Sequence, residues 1–282
     1  MKDNDFEIYE LKKYEIKALK EINEWEISEY DSFSKKFFDA VAEPFSYLIN
    51  KIGKNNFEVV EKTIKKLVEQ FYKASEYTVN PDKIMKRAKE NGIDIKELSD
   101  IKNCYLKPLD DCNQKHIKFH EATAAVQGAI AGITGEIGAV IDISTIMIRD
   151  FHMIQNIAFC YGFNPNDILE KEIILRIIEA ALGRSDVKKK AIYEIQQLKE
   201  KQKNHEEVGS NYTNILTSKA TDRCIKSITL SLIARIIACS IPVLSMAISA
   251  HSNYEIMENS GKTALMVYRK RFIERKKEKN VV

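Results

Sequence analysis

The chain has 282 residues, 44 of them basic and 41 acidic, for a formal net charge of +3, and it is 44% hydrophobic and 30% charged. That composition excludes a disordered chain and a dedicated nucleic-acid binder, whose signature is a strong basic excess. The length suffices for one large helical domain or two small ones with ample core.

Nearly every segment has a helical pattern, and only five prolines interrupt the chain. Residues 6–30 carry apolar positions at helical spacing: Ile8, Leu11, Ile16, Leu19, Ile22 and the single tryptophan, Trp25. A second helix is predicted over 34–52 with a kink at Pro44. A third opens at Asn55-Asn56 and ends near Ala74. Asn80-Pro81-Asp82 starts a short helix with proline in its favoured first turn. Asn91-Gly92 stops it, because glycine readily takes the left-handed conformation that closes a helix. Another short helix covers 94–103, and Pro108 breaks before the next. One or two long helices fill 110–162, ended by Tyr161-Gly162. Asn164-Pro165-Asn166-Asp167 caps a helix over 167–183. A loop follows at 183–186, and residues 186–208 form a highly charged stretch expected to be a solvated helix face. An apolar helix spans 215–240, Ile241-Pro242 breaks it, and a last helix runs over 243–276.

The start, MKDNDFEIYE, lacks the basic and apolar runs of a secretory signal, and the end, EKNVV, lacks a lipidation box. The five cysteines, Cys104, Cys112, Cys160, Cys224 and Cys239, include no CxxC pair. They fit reduced, mostly buried thiols of a cytosolic protein.

The most informative stretch is 122–148, which holds four of the ten glycines: Gly128, Gly132, Gly135 and Gly138. At about 100° per residue all four fall on one side of a single helix. Each costs roughly 1 kcal/mol in a helix interior, so four on one face predict close approach of another backbone.

Three places carry a family likeness. The first is the glycine block with its acidic residue, Gly128 to Gly138 and then Asp142, continuing into Ala158-xx-Tyr161-Gly162 and Pro165. The second is Ile241-Pro242-Val243-Leu244, followed by Asn253 and the basic ending Tyr268-Arg269-x-Arg271-Phe272. The third is Tyr14-Glu15 with Trp25-Glu26. Together they resemble the EcsC family of bacterial proteins over most of the chain. The family is named for an operon that also encodes an ABC transporter. The resemblance therefore implies an all-α, membrane-proximal accessory protein whose partner is a membrane surface or a membrane protein such as that transporter. Ser144 stands where the family tends to have proline, and Ser245 and Ser249 stand where it favours glycine; all keep small side chains.

The apolar segments are borderline for a membrane span, which needs about 20 mostly apolar residues. Residues 122–135 are uncharged, but Glu136 and Asp142 follow, and Arg235 and Pro242 interrupt 227–250. Buried core helices of a bundle, peripheral or hairpin contact with a bilayer, and true spanning are the three readings, with spanning opposed by the charges. Asp142 and Arg149 share the glycine side, at about −40° and −60° from Gly128, with Glu136 at its margin near +80°. Asp142 or Glu136 is a candidate polar core pair or ligand site with Arg149 or Arg235. Alternatively Asp142 caps a new helix with Ser144 and Thr145 in its first turn.

Cys112, His116 and His120 lie at i, i+4 and i+8. Thiol and imidazole at that spacing suit zinc, but the third ligand is about 12 Å from the first along the axis. No metal is expected there, and the HExxH arrangement is absent. Residues 269–279 hold seven basic and two acidic residues. Arg269, Lys270, Arg271, Arg275, Lys276 and Lys277 are candidates for an anionic membrane surface, with a solvated helix end as the alternative.

No P-loop, dinucleotide-binding glycine pattern or GxSxG elbow occurs, and no serine or cysteine has histidine and acid at a recognisable spacing. No cofactor is expected, and enzymatic activity has no positive support. The expected architecture is an all-α multi-helix bundle around a glycine-rich central helical hairpin. A helical region, 1–108, and a core, 109–282, form one integrated domain. The expected role is a non-catalytic, membrane-proximal accessory protein, cytoplasmic and peripheral at the inner face of the cell membrane. A bundle that binds a lipid or acyl ligand between 128–148 and 228–250 is one alternative. A hydrolase or metal-dependent enzyme using Asp142, Glu136, His116 and His120 is another.

Overall fold

The computed structural model describes residues 3–28, 53–73, 80–93, 95–133, 135–203, 218–239 and 245–279, with 131–141 and 234–248 given as backbone only where they appear. Among the described residues there are nine α-helices and one 3-10 turn, and no strand. The helices are α1 (Asp3–Ile27), α2 (Lys54–Lys73), α3 (Pro81–Glu90), α4 (Leu106–Ile133), α5 (Gly135–Cys160), α6 (Ile168–Leu182), α7 (Ser185–Lys203), α8 (Lys219–Cys239) and α9 (Ser245–Lys279). The expected all-α class holds. The helix predicted over 34–52 and the break at Ile241-Pro242 lie outside the described residues.

Local chemistry explains the borders. Asn80 caps α3 by accepting from the Lys83 backbone N–H at 3.2 Å, with Pro81 first in the helix. Gly92 (φ +76°) and Gly162 (φ +75°) turn the chain out of α3 and α5. In each case the next residue, Ile93 or Phe163, bonds back five residues, to Ala88 or Ala158, at 3.0 Å. Pro108 falls inside the first turn of α4, where its missing N–H costs nothing, instead of ahead of the helix.

Apolar stripes then assemble the bundle. On α2, Phe57, Val60, Ile64, Val68 and Phe71 recur at spacings of three and four and are buried. On α1 the buried positions are Ala18, Ile22 and Trp25, whereas Ile16, expected on that face, is exposed. One buried cluster runs from α1 through to Phe272 and Ile273 of α9. The charged run of α7 is not wholly solvated: Lys188 is buried and donates to the carbonyls of Trp25 (2.6 Å) and Ser28 (2.9 Å). It thereby satisfies open carbonyls at the end of α1.

The centre is a hairpin with a third helix laid along it. Residues of α4 and α5 pair antiparallel, as Gln127 with Asp142, Thr123 with Arg149, and Asp110 with Tyr161. Helix α9 runs antiparallel to α4, with Asp110 by Arg269 and Gly128 by Ser249, and parallel to α5, with Asp142 by Asn253 and Asp150 by Ser260. No helix among the described residues is long and apolar enough to cross a membrane.

Candidate functional site

The four glycines are divided between two helices, so they do not share one face. Gly128 and Gly132 belong to α4, and Gly135 and Gly138 open α5. At Gly128 the predicted close approach is present. A Cβ there would collide with the Ser249 backbone oxygen and lie 2.8 Å from Asn253 Nδ2. The packing round Gly132, Gly135 and Gly138 lies outside the described residues.

Beside Gly128, Asp142 sits in the interior of α5 and does not cap a helix. Its carboxylate accepts from Gln127 Nε2 at 2.5 Å and from Asn253 Nδ2 at 2.6 Å. Among the described residues its partners are therefore amides of α4 and α9, and not Arg149. Arg149 donates instead to Thr123 Oγ1 at 2.6 Å. The side chains of Glu136 and Arg235 lie outside the described residues.

At the other end of the hairpin two of the six expected surface cations, Arg269 and Arg271, are turned inward. Arg269 is 3% exposed and its Nε lies 2.7 Å from Asp110 Oδ2. Asp110 is fully buried and also accepts from Tyr14 (2.8 Å) and Tyr161. Burial raises its carboxyl to about 6, against the opposing pull of Arg269 and the two phenols. Arg271 is 5% exposed and grips Glu170 through its two terminal guanidinium nitrogens. Arg275 donates to the carbonyls of Tyr161 (2.6 Å) and Gly162 (2.9 Å) and lies over the Phe163 ring. Lys270 pairs with Glu26, and Lys276 with Glu15. Of the six residues assigned to a membrane surface, Lys277 is exposed, Lys270, Arg275 and Lys276 are half-buried, and Arg269 and Arg271 are buried. The carboxylates that receive Arg269, Lys270, Arg271 and Lys276 come from segments remote in sequence.

Cys112, His116 and His120 do line one side of α4, but a third helix supplies a cation rather than a ligand. Arg87 of α3 donates to His116 Nδ1 (2.7 Å) and to Cys160 Sγ (3.2 Å). A guanidinium can only donate, so His116 accepts at Nδ1 and carries its proton on Nε2. His116 and His120 meet edge to face at 4.5 Å. Burial, with nearby Arg87, lowers His116 to about 2; burial, with nearby His152 and Arg149, lowers His120 to about 4. The hydrogen bond with Cys160 lowers Cys112 to about 7, aided by Arg87, and raises Cys160. Among the described residues no group of three His, Cys, Asp or Glu is placed to hold a metal.

A pocket of about 460 Å³, open on one side, lies between α2 and the hairpin. Helix α2 contributes Leu67, Gln70 and Phe71 at i, i+3 and i+4, and α4 contributes His120. Helix α5 contributes Thr145, Ile148, Arg149, His152 and Gln155 from one helical face, with Phe151 beside them. Phe71 stacks on Phe151 at 4.5 Å and forms the apolar wall. Among the described residues no carboxylate lines this space. Two atoms of the lining residues, Arg149 Nε and His120 Nδ1, are buried without a hydrogen-bond partner. The cavity expected between 128–148 and 228–250 falls largely on side chains outside the described residues; this pocket is a different one, against α2. Arg149 and His120 were legible candidates. His152 and Gln155 were not singled out, although they share the helical face of Arg149 at i+3 and i+6, and nothing in the α2 sequence marks Gln70 or Phe71.

The hairpin also holds large apolar side chains out in water, termed the ridge. Phe119, Val126 and Ile130 of α4 are each 63% exposed and Ile148 of α5 is 54% exposed. The three α4 residues fall within about 40° of one another round the helix and span about 16 Å.

The model of the EcsC protein family matches residues 16–273. The chain is similar to a Bacillus subtilis (strain 168) protein carrying the name uncharacterized protein YdbA. The two are 24% identical over 268 residues, 92% of this chain and 93% of that one. No solved structure matches.

Proposed function

The chain belongs to the EcsC protein family, and from that membership we propose that it is a non-catalytic accessory protein that works at the inner face of the cell membrane. The observation that carries this reading is the exposed ridge of Phe119, Val126, Ile130 and Ile148. Large apolar side chains held out in water along one helix face mark a partner surface. Residues 122–133 of α4 carry no charge, so Val126 and Ile130 can enter the headgroup region without desolvating an ion of that stretch. A peripheral contact agrees with the lack of a membrane-crossing helix among the described residues. On this reading an ABC transporter, the partner class implied by the family's naming operon, is met at that surface.

Vesicle flotation tests the proposal. The full chain should float with neutral and anionic vesicles alike, at low and at high salt, because apolar area and not the paired C-terminal cations drives the contact. The double variant Val126→Asp with Ile130→Asp should stay at the bottom. Flotation that needs anionic lipid and vanishes in salt, or a double variant that floats as well as the natural chain, would refute it.

A further inference from the structure

We propose that the pocket between α2 and the hairpin binds a single-chain amphiphile with an oxyanion head, a carboxylate or a phosphate. The inference goes beyond the membrane-surface reading and does not depend on it. The pocket's volume, about 460 Å³, falls in the range of small-molecule sites.

Charge sets the head. Arg149 brings a permanent positive charge to the pocket, where it donates to the Thr123 hydroxyl and its Nε is buried without a partner. Among the described residues the lining holds no carboxylate to neutralise it. A guanidinium fork matches the geometry of carboxylate and phosphate, and pairing with an anion there is stronger than in water. His120 is 6% exposed, and its buried Nδ1 also lacks a partner. Its ring stays neutral, so it can donate one N–H to the same head without bringing a second charge. A buried polar nitrogen without a partner costs free energy, and a ligand oxygen at this place would recover it.

The walls set the tail. Leu67, Phe71, Ile148 and Phe151 line the rest of the space. An inorganic anion alone would leave that surface wet, whereas an acyl chain covers it. Ile148 belongs both to the lining and to the exposed apolar residues, so apolar surface reaches from the pocket to water.

Calorimetric titration of the full chain with decanoate, 1-decanol and inorganic phosphate tests this. Decanoate should bind saturably, one per chain, and decanol and phosphate each at least about tenfold more weakly. Arg149→Gln should weaken decanoate about tenfold and leave decanol unchanged, with Arg149→Lys retaining most of the affinity. Arg149 also bridges α4 and α5, so a second variant guards against a folding defect. Thr145→Glu, at an exposed position one turn before Arg149, supplies an internal carboxylate to the guanidinium. It should block decanoate to the same degree at unchanged melting temperature. Equal binding of decanol and decanoate, phosphate binding as tight as decanoate, decanoate binding untouched by either substitution, or no decanoate binding at all would each overturn the proposal. Flotation of the same proteins reports separately on the ridge.

Discussion

Arg271 of α9 and Glu170 of α6 form a two-point ion pair in which each side chain is 4% exposed. The Arg271 guanidinium also lies 4.0 Å from the centroid of the Phe163 ring, and Tyr268 donates to the same carboxylate at 3.2 Å. Burial disfavours the charged form of Arg271, but Glu170 outweighs it and holds the guanidinium above its ordinary range.

Breaking this pair leaves a buried charge with no counter-ion. Arg271→Ala is expected to cost about 3–5 kcal/mol in urea unfolding. Arg271→Lys should recover only part, since an ammonium cannot reproduce the two-point contact. Lys226→Ala, which removes an exposed pair with Asp222, should cost no more than about 1 kcal/mol. An Arg271→Ala protein as stable as Lys226→Ala would refute the assignment.

Gly128 and Gly261 both lie where helices meet, yet they should respond differently to a methyl group. At Gly128 the obstacle is the Ser249 backbone, which cannot move without displacing α9. At Gly261 it is the Ile117 side chain, 2.6 Å from the added Cβ, which can change rotamer. Gly128→Ala is expected to cost about 2–3 kcal/mol and Gly261→Ala about 1 kcal/mol. Thermal melts of the two variants check the order, and a reversed order would show that α9 yields more readily than Ile117.

The helices and their caps were legible because they rest on local chemistry: Asn80-Pro81, Asn91-Gly92 and Tyr161-Gly162 each act within one turn. The glycine seam was half legible. Helical spacing foretold close approach at Gly128, but the arithmetic assumed one helix through a region where α4 ends and α5 begins. The C-terminal cations were misleading because charge density says nothing about distant acids. Asp110 lies 159 residues before Arg269, and Glu170 lies 101 before Arg271, and only the fold brings them together. The pocket was the least legible, since its α2 wall is an ordinary apolar stripe whose function depends on which helix it faces.

The buried histidines predict a sign for acid sensitivity. His120 falls from 6.5 in the open chain to about 4 when folded, and His116 to about 2. Between those values the folded state binds fewer protons than the unfolded state. The contribution is therefore fully present above pH 6.5 and is lost as the pH falls toward 4. It should fade by up to about 1 kcal/mol per pH unit for each histidine. Asp110 acts oppositely, because its folded value of about 6 lies above the ordinary 3.8. Its contribution is present at low pH and lost as the pH rises through 6. The stability difference between the natural chain and His120→Gln isolates the histidine. That difference should shrink from pH 7.5 to pH 4.5, and a constant difference would exclude the neutral, buried state.

Asp142 joins three helices through two amides, Gln127 of α4 and Asn253 of α9, directly beside Gly128. Both neighbours donate to it, so an acceptor-only carboxylate fits where an amide does not. Asp142→Asn turns one N–H₂ group toward a donor and should cost about 1–2 kcal/mol. Asp142→Leu leaves both amides without an acceptor and should cost more. The decisive variant exchanges the two chemistries. Asp142→Asn combined with Asn253→Asp restores a donor facing an acceptor across α5 and α9, while Gln127 can rotate its amide to present Oε1. Unfolding of the four proteins in a double-substitution cycle should show the pair recovering most of what each single change loses. Losses that simply add would mean that Asp142 and Asn253 are neighbours without a shared bond, and that the small residues alone hold α9 against the hairpin.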